Sequence, residues 1–549
     1  MRSSHWRRHR WAWLIGTAYV CIAAWVWVAC QVGPKPNPDA CDYAQMGREI
    51  YRGHGFATTQ MMPRHIPFLD EHGYLDREHW FNFSRFPLPA MTDAAFCFVT
   101  DDAMMAAVLK SGTFFVLSVP LLFLLAYRYA SLAVATVSTL FFMADPLVFG
   151  SSYVGKTETL SMFLILCVAL TAFSKELTLR KCALMGILAG LCYLSRSQFI
   201  FLVPVLFLMI GLRIKGRGRM LAMAMAMAMA VTGGAALLVV APWLARNYAL
   251  VGNPMFSFIT TRSIVTEVRP IGADLMTDLH APVSTTAVLK EYGVDIVRKY
   301  ARHLFPNILS ISFWRAMLDP GVFPFFFFTV LSLFRREGPG QKHVTLWKWF
   351  VMAMVVCNIL VAGLVVLLPR YFIMFHPLVI LLGAREVMLL LGALPGRAEA
   401  WFRIIVVIGM LSIGVFQFTE SAQKAMRKYR PHPQRMAALA QIKQMTQPGT
   451  LIASDRSYDT VVYTDRRSLR LPEDPEQLLE IDEKYLAVDY VHLSAKVLKG
   501  GPHLKDQPSR HATFWQYPQY ITATPFTSKY KLMARLVDGG VLFKRIKSK

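Results

Sequence analysis

The sequence predicts a mostly α-helical, polytopic membrane protein of about eleven transmembrane helices, followed by a small extracytoplasmic α/β domain. Three observations carry that reading. Of 549 residues, 54% are hydrophobic and only 17% charged, with a mean hydropathy of +0.38, a balance that no single water-soluble core could use. Apolar runs close to the roughly 20 residues that span a hydrocarbon core recur along most of the chain. Beyond residue 418 the runs stop, and short apolar stretches alternate with polar helical ones.

The spanning helices are expected, in order, at residues 11 to 31, 104 to 127, 130 to 149, 158 to 174, 182 to 195, 197 to 212, 220 to 241, 314 to 334, 348 to 368, 371 to 391 and 402 to 418. The first follows a basic stretch and ends in small residues near Ala29, as a secretory signal does, but its apolar length and Trp11, Trp13, Trp25 and Trp27 fit an uncleaved anchor better. In the long loop 32 to 103, Pro38 opens a short helix that Gly53 and Gly55 close. The alternating run Met220 to Ala230 needs no special role, because both residue types are apolar and form helices well. Arg385 and Glu386 interrupt the tenth segment and mark a candidate inner end.

Lys and Arg near helix ends resist translocation, so their loops fix the orientation. Arg2, Arg7, Arg8 and Arg10 precede the first helix; Lys175, Arg180 and Lys181 follow the fourth; Arg213, Lys215, Arg217 and Arg219 follow the sixth; Arg335, Arg336, Lys342 and Lys348 lie between the eighth and ninth. All fall on one side. In a bacterial inner membrane this places the N-terminus in the cytoplasm and loops 32 to 103 and 246 to 313 in the periplasm. The division is then a transmembrane domain, 1 to 418, and a periplasmic α/β domain, 419 to 549. In the latter, Lys424 to Arg435 is a basic connector, Leu451 to Ala453 and Tyr490 to Leu493 read as strands, Pro475 to Tyr485 as a helix and Tyr463 to Arg467 as a solvated turn.

The net charge of +24 is explained by these inner loops and by attraction to anionic lipid headgroups, so nucleic acid is not an expected partner but membrane lipid is. The cysteines lie mostly inside helices. Cys41 and Cys97 share the first outer loop, and the residues leave open whether they pair.

Polar residues return to one membrane face. Asp39 and Asp42 follow helix one, Asp145 and Glu158 flank the turn between helices three and four, Arg196 ends helix five, Arg246 ends helix seven and Arg370 lies between helices nine and ten. Each has a structural reading as well: Asn37, Pro38 and Asp39 make a favourable helix start, Glu158 can serve as an N-terminal helix charge, and the arginines can anchor at the interface. Carboxylates at a membrane boundary are nevertheless costly, and guanidiniums gathered opposite them suit an anionic, phosphate-bearing ligand. Asp42 and Tyr43 share a helix face with Asp39.

The run from Asp39 to Phe56, DACDYAQMGREIYRGHGF, resembles the first outer loop of GT-C-type glycosyltransferases of the protein O-mannosyltransferase and aminoarabinose transferase kind. Arg85-Phe-Pro-Leu-Pro89 resembles that family's Pro-rich approach to helix two; Asp145-Pro146 through Glu158 its second outer loop; Leu191 to Arg196 its Gly-Leu-x-x-Leu-Thr-Arg-Pro element, with Ser197 in place of the proline; Pro242-Trp243-Leu-Ala-Arg246-Asn247-Tyr248 with Gly252-Asn-Pro254 its Pro-Trp-x-x-Arg-Asn stretch; and Arg370-Tyr371 with Pro377 a late helix start. The likeness covers residues 1 to about 418, and the tail resembles the outer domain of bacterial members. It implies sugar transfer from a polyprenyl-phosphate donor to a glycan, lipid or protein acceptor, usually with inversion.

On that resemblance, Asp39 maps onto the catalytic aspartate, with Asp42 a weaker candidate, Glu158 supporting the acceptor or a loop, and Arg196, Arg246 and Arg370 holding the donor phosphate. Tyr43, Arg85, Asn247 and Tyr371 join the expected site. Carboxylates suit a divalent cation, but no complete ligand set is recognisable around Asp39, Asp42 and Glu158, and no metal is assigned there. Trp80, Phe81, Phe83 and Phe86 suit the membrane surface. The competing reading is a polytopic transporter or lipid-carrier flippase, which calls for midplane charges and repeated halves; neither stands out.

Overall fold

The computed structural model describes residues 2–29, 37–174, 176–214, 219–265, 275–318, 321–338, 342–363, 368–393, 397–428, 432–472, 474–498, 515 and 521–546. After α1 (Arg2–Ala29), the first loop folds as α2 (Pro38–Tyr51), β1 (Ala57–Thr58), β2 (Gln60–Met61), α3 (His65–Glu71), β3 (Trp80–Phe81) and α4 (Pro87–Cys97). A helical bundle follows: α5 (Ala103–Tyr129), α6 (Leu132–Ala144), α7 (Pro146–Tyr153), α8 (Glu158–Ala172), α9 (Leu179–Ser195), α10 (Leu202–Arg213), α11 (Arg219–Val251), α12 (Phe258–Val265), α13 (Thr285–Leu309), α14 (Ile311–Met317), α15 (Phe323–Phe334), α16 (Lys342–Gly363), α17 (His376–Gly392) and α18 (Arg397–Lys428). The tail contains α19 (Pro433–Met445), β4 (Leu451–Ser454), α20 (Ser457–Thr464), β5 (Arg467–Arg470), α21 (Pro475–Lys484), β6 (Tyr490–Leu493), β7 (Tyr530–Arg535) and β8 (Val541–Arg545).

Each of the eleven expected apolar segments is mainly helical over its described residues, and the chain is a polytopic membrane protein. Among the described residues, six helices are long and apolar enough to cross a bilayer alone, and a bent pair makes a seventh. The others are short or interrupted. The third span breaks into α6 and α7 with a 54° bend. Asp145 causes it by leaving the first helix and capping the second, its Oδ1 accepting from the amides of Leu147 (2.8 Å) and Val148 (3.2 Å), with Pro146 at the first position. The eighth divides into α14, which ends at Met317, and α15, which begins at Phe323, with Gly321 in the turn that leads into the second helix. The last runs on to Lys428, so the start of the expected connector is helix.

Close packing positions the functional ends. On α9, Gly186 and Gly190 let α11 approach so nearly that a Cβ at Gly186 would sit 2.2 Å from the Thr232 carbonyl oxygen, and one at Gly190 2.9 Å from that of Ala236. Such small-xxx-small contacts hold membrane helices together where lipid supplies no hydrophobic drive between them. They register the ends that carry Arg196 and Arg246. In the first loop, α4 is tied to α5 by a fully buried ion pair, Asp93 to Lys110 at 2.8 Å. Burial raises the Asp93 carboxyl to about 6 against the pull of Lys110. Cys41 and Cys97 are separate buried thiols.

At the opposite end of the bundle, Glu337 is closed in by a two-pronged Arg385 bond (3.0 and 2.9 Å) and by Lys348 at 2.5 Å. Glu386 pairs with Arg335 at 3.1 Å. The interruption noted in the tenth segment is therefore a charged staple between α15, α16 and α17.

The tail sheet has the order β2-β5-β4-β6-β8-β7, parallel through β6 and antiparallel beyond. Its edge strand β2 comes from the first loop, with Gln60 beside Ser468 and Met61 beside Leu469. Tail and loop are thus one hydrogen-bonded unit.

Candidate functional site

The site is built from helix ends. Glu158 opens α8, Arg196 follows the last residue of α9, Arg246 lies near the end of α11 and Arg370 precedes α17. The alternating course of the helices puts all four at the end where α2 lies. Asn37 caps α2, accepting from the Ala40 amide at 3.4 Å, with Pro38 and Asp39 in its first turn. The helix ends at Tyr51, and the chain turns through Gly53 (φ +87°) and Gly55 (φ +71°), conformations that glycine adopts without Cβ strain.

Asp39 sits between two cations. Its Oδ1 accepts from Arg85 Nη2 at 2.9 Å and its Oδ2 from Arg370 Nη1 at 2.6 Å. The same Arg85 donates Nε to Asp42 Oδ2 at 2.6 Å and lies 5.3 Å over the Tyr43 ring. Burial would raise the Asp39 carboxyl, but Arg85, then Arg370 and Arg196, outweigh it and hold the group well below the usual carboxylate range. A third of the Asp39 side chain stays open to solvent, against 8% for Asp42. For Asp42, burial wins and raises the carboxyl, although Arg85 and the Gln45 amide work against it. Burial also pushes the Tyr43 hydroxyl up to about 12.

Tyr371 links this group to a second pair. Arg370 lies 5.3 Å from its ring centre and Arg196 5.8 Å, while Arg196 Nη2 donates to Glu158 Oε1 at 3.2 Å. The cluster is open-ended: Glu158 Oε2, Arg196 Nη1 and Arg370 Nε are buried without hydrogen-bond partners. Three carboxylates, Asp39, Asp42 and Glu158, face three guanidiniums, Arg85, Arg196 and Arg370.

Arg246 stands apart. Its guanidinium lies 5.0 to 5.8 Å from the rings of Trp243, Phe83, Phe56 and Phe81 and bonds the Asn247 side chain (2.9 Å) and the Phe56 carbonyl (3.5 Å). Among the described residues no carboxylate pairs with it. Phe81 and Phe83 also line a narrow crevice, about 20 Å³ and so no larger than a water, that contains Asp42 and Arg85, and Arg246 abuts it through its aromatic wall. Asn247 is turned to the backbone, reaching the carbonyls of Pro254 and Phe256 at 3.4 Å.

Several expected placements differ. Asp145 does not join the cluster; it is buried beside His376, whose Nδ1 lies 2.5 Å from its Oδ2. Trp80, Phe83 and Phe86 are buried inside the fold instead of lining the membrane surface; Trp80 lies beneath Arg467, 4.3 Å from its ring. The turn at Tyr463 to Arg467 is a docking point, where Asp465, at φ +56°, bonds Arg48 (3.0 Å) and Arg52 (2.8 Å) of α2.

Sequence reasoning missed Gln45, which donates to Thr58 Oγ1 at 2.7 Å, together with His65 and Tyr458 of the crevice. Burial drives the His65 imidazole down to about 3, so it is neutral there. Gln45 lies three residues from Asp42 on one helix face, a spacing that could have found it; Tyr458 carries no such signal.

No family model matches the chain, and no curated protein matches its sequence. Solved structures do. ArnT of Cupriavidus metallidurans, solved with undecaprenyl phosphate bound, superposes with a TM-score of 0.57 at 11% identity over 97% of this chain and 98% of its own. The archaeal oligosaccharyltransferase AglB of Archaeoglobus fulgidus, solved with an inhibitory peptide and a dolichol-phosphate, gives 0.55 at 12% identity over 88% and 69%. The fold is GT-C-like. Arabinofuranosyltransferase AftD from Mycobacteria gives 0.50 at 13% identity over 98% of this chain and 40% of AftD. In this GT-C-like chain the Asp39 cluster stands where the first loop meets the helix ends.

Proposed function

We propose that the chain is a membrane glycosyltransferase that moves a sugar from a polyprenyl-phosphate-linked donor to a hydroxyl of a lipopolysaccharide, another surface glycan or a protein, at the periplasmic face of the bacterial inner membrane, with inversion. The observation that carries this reading is the sharing of Asp39 between Arg85 and Arg370, 46 and 331 residues away, beside the Glu158–Arg196 pair. The GT-C-like fold and the lipid phosphates bound by ArnT and AglB support it.

In this reaction the acceptor oxygen bonds to the anomeric carbon as the carbon–phosphate oxygen bond breaks. The electron pair leaves with the polyprenyl phosphate, and the acceptor proton passes to Asp39. The leaving phosphate needs positive charge more than a proton. Arg370, Arg196 and Arg246 supply it, and Arg246 does so without first giving up a carboxylate. Donor phosphate draws Arg370 from Asp39, and the released carboxylate gains basicity at the moment it is required. Asp42 keeps Arg85 in place, Tyr43 and Tyr371 wall the site, and Glu158 orients the acceptor. A divalent cation at Asp39 and Asp42 would compete with Arg85 for the same oxygens.

Mass spectrometry of envelope glycans and proteins from cells with and without the chain tests this. Loss of one sugar from either class is expected; unchanged glycans and proteins contradict it. For the orientation, reporter fusions at residues 215 and 340 should read cytoplasmic and one at 500 periplasmic, and the reverse would remove the site from the periplasm.

A further inference from the structure

At the far end of α2 from Asp39, three residues outside the proposed site converge. Glu49 Oε2 lies 2.8 Å from His54 Nδ1 and 2.9 Å from His79 Nδ1, and the three ligand atoms lie within 4.8 Å of one another. The imidazoles stack at 3.7 Å between ring centres. The backbone builds this deliberately close arrangement. The turn through Gly53 folds His54 back so that its amide bonds the Glu49 carbonyl at 3.0 Å, and His79 directly precedes β3, which pairs with β1 just after the turn.

We infer that Glu49, His54 and His79 bind a divalent transition-metal ion of the zinc class. Two imidazole nitrogens and one carboxylate oxygen are a zinc-type set that leaves a coordination position for water. The partial exposure of His54 and His79, 38% and 27%, gives that water access, while Glu49 is 1% exposed. Both imidazole nitrogens converge on a single carboxylate oxygen, Glu49 Oε2. The other oxygen, Glu49 Oε1, has no hydrogen-bond partner; its ionic neighbours Arg48 (3.6 Å) and Arg52 (3.7 Å) are both engaged by Asp465. Ten residues of helix separate Glu49 from Asp39, about 15 Å, so the ion takes no part in the transfer. It clamps the end of α2 to β3, and through β3 fixes Phe81 and the wall beside Arg246.

The test uses the full chain, purified without a polyhistidine tag and stripped with EDTA. Cobalt(II) titration should give one equivalent with the visible absorption of four-coordinate cobalt, displaced by zinc. His54→Gln and His79→Gln should each weaken binding by about 10²-fold or more, with Asp39→Asn retaining it. X-ray absorption of the zinc-loaded wild type should show nitrogen and oxygen ligands with two imidazoles, a readout independent of how the variants fold. Failure of the wild type to take up one equivalent, uptake surviving in the double histidine variant, or a sphere without imidazole would overturn the assignment.

Discussion

Two charged clusters occupy opposite ends of the helical bundle, and they are built from the same residue types to different ends. At one, Glu337 has both oxygens taken, by Arg385 and Lys348, and is 4% exposed. At the other, Asp39 is a third exposed, divides its oxygens between two arginines and lies beside buried polar atoms that lack partners. A saturated cluster has nothing left to offer a ligand and acts as a staple. An unsaturated one near Arg246, which pairs with no carboxylate among the described residues, can exchange partners, which is what binding and releasing a phosphate requires.

The comparison can be broken in graded steps. Asp39→Asn should lower turnover per folded molecule by about 10² to 10⁴-fold, a loss that its effect on stability does not account for, as assayed with purified chain and donor. Glu337→Gln should do the reverse: removing one partner of a buried pair costs about 3 to 5 kcal/mol, read as a fall in thermal stability with unchanged turnover per folded molecule. Arg246→Met should raise the donor KM by about ten- to a hundredfold, the loss of one charge-assisted hydrogen bond of about 1.5 to 3 kcal/mol. Arg52→Ala, which opens an exposed bridge to Asp465, should change stability by about 1 kcal/mol or less.

A pH profile sharpens the contrast. The folded Asp39 carboxyl is depressed, so the stability it contributes is present above its unfolded value, about 3.9, and is lost only as pH falls through its lower folded value. The acid limb of kcat/KM, which reports the free enzyme, should therefore lie below the ordinary carboxylate range. The limb of kcat should lie higher, because bound donor has drawn Arg370 away. Coincident limbs would contradict the exchange.

Much of the architecture was legible because apolar run length speaks directly to membrane helices: the described residues of all eleven segments are mainly helical, and Pro38, Gly53 and Gly55 delimit α2 as expected. Helix parity also brought Asp39, Glu158, Arg196 and Arg370 to one end. What stayed hidden lies in pairings distant along the chain, which neither period nor propensity encodes. Asp145 and Glu158 look alike at the ends of one turn, yet the first is consumed by its cap and by His376, 231 residues away. The two-residue strand β2 is too short to register as a strand until β5 supplies its partner. His79 is unremarkable in sequence until the loop returns it to Glu49.

The most direct test is a structure of the full chain with a polyprenyl phosphate bound. The account predicts the phosphate oxygens within hydrogen-bond distance of Arg370, Arg196 or Arg246, with the Arg370–Asp39 bond opened. Phosphate seated instead at the other end, on Arg335, Lys348 or Arg385, with the Asp39 cluster undisturbed, would contradict it.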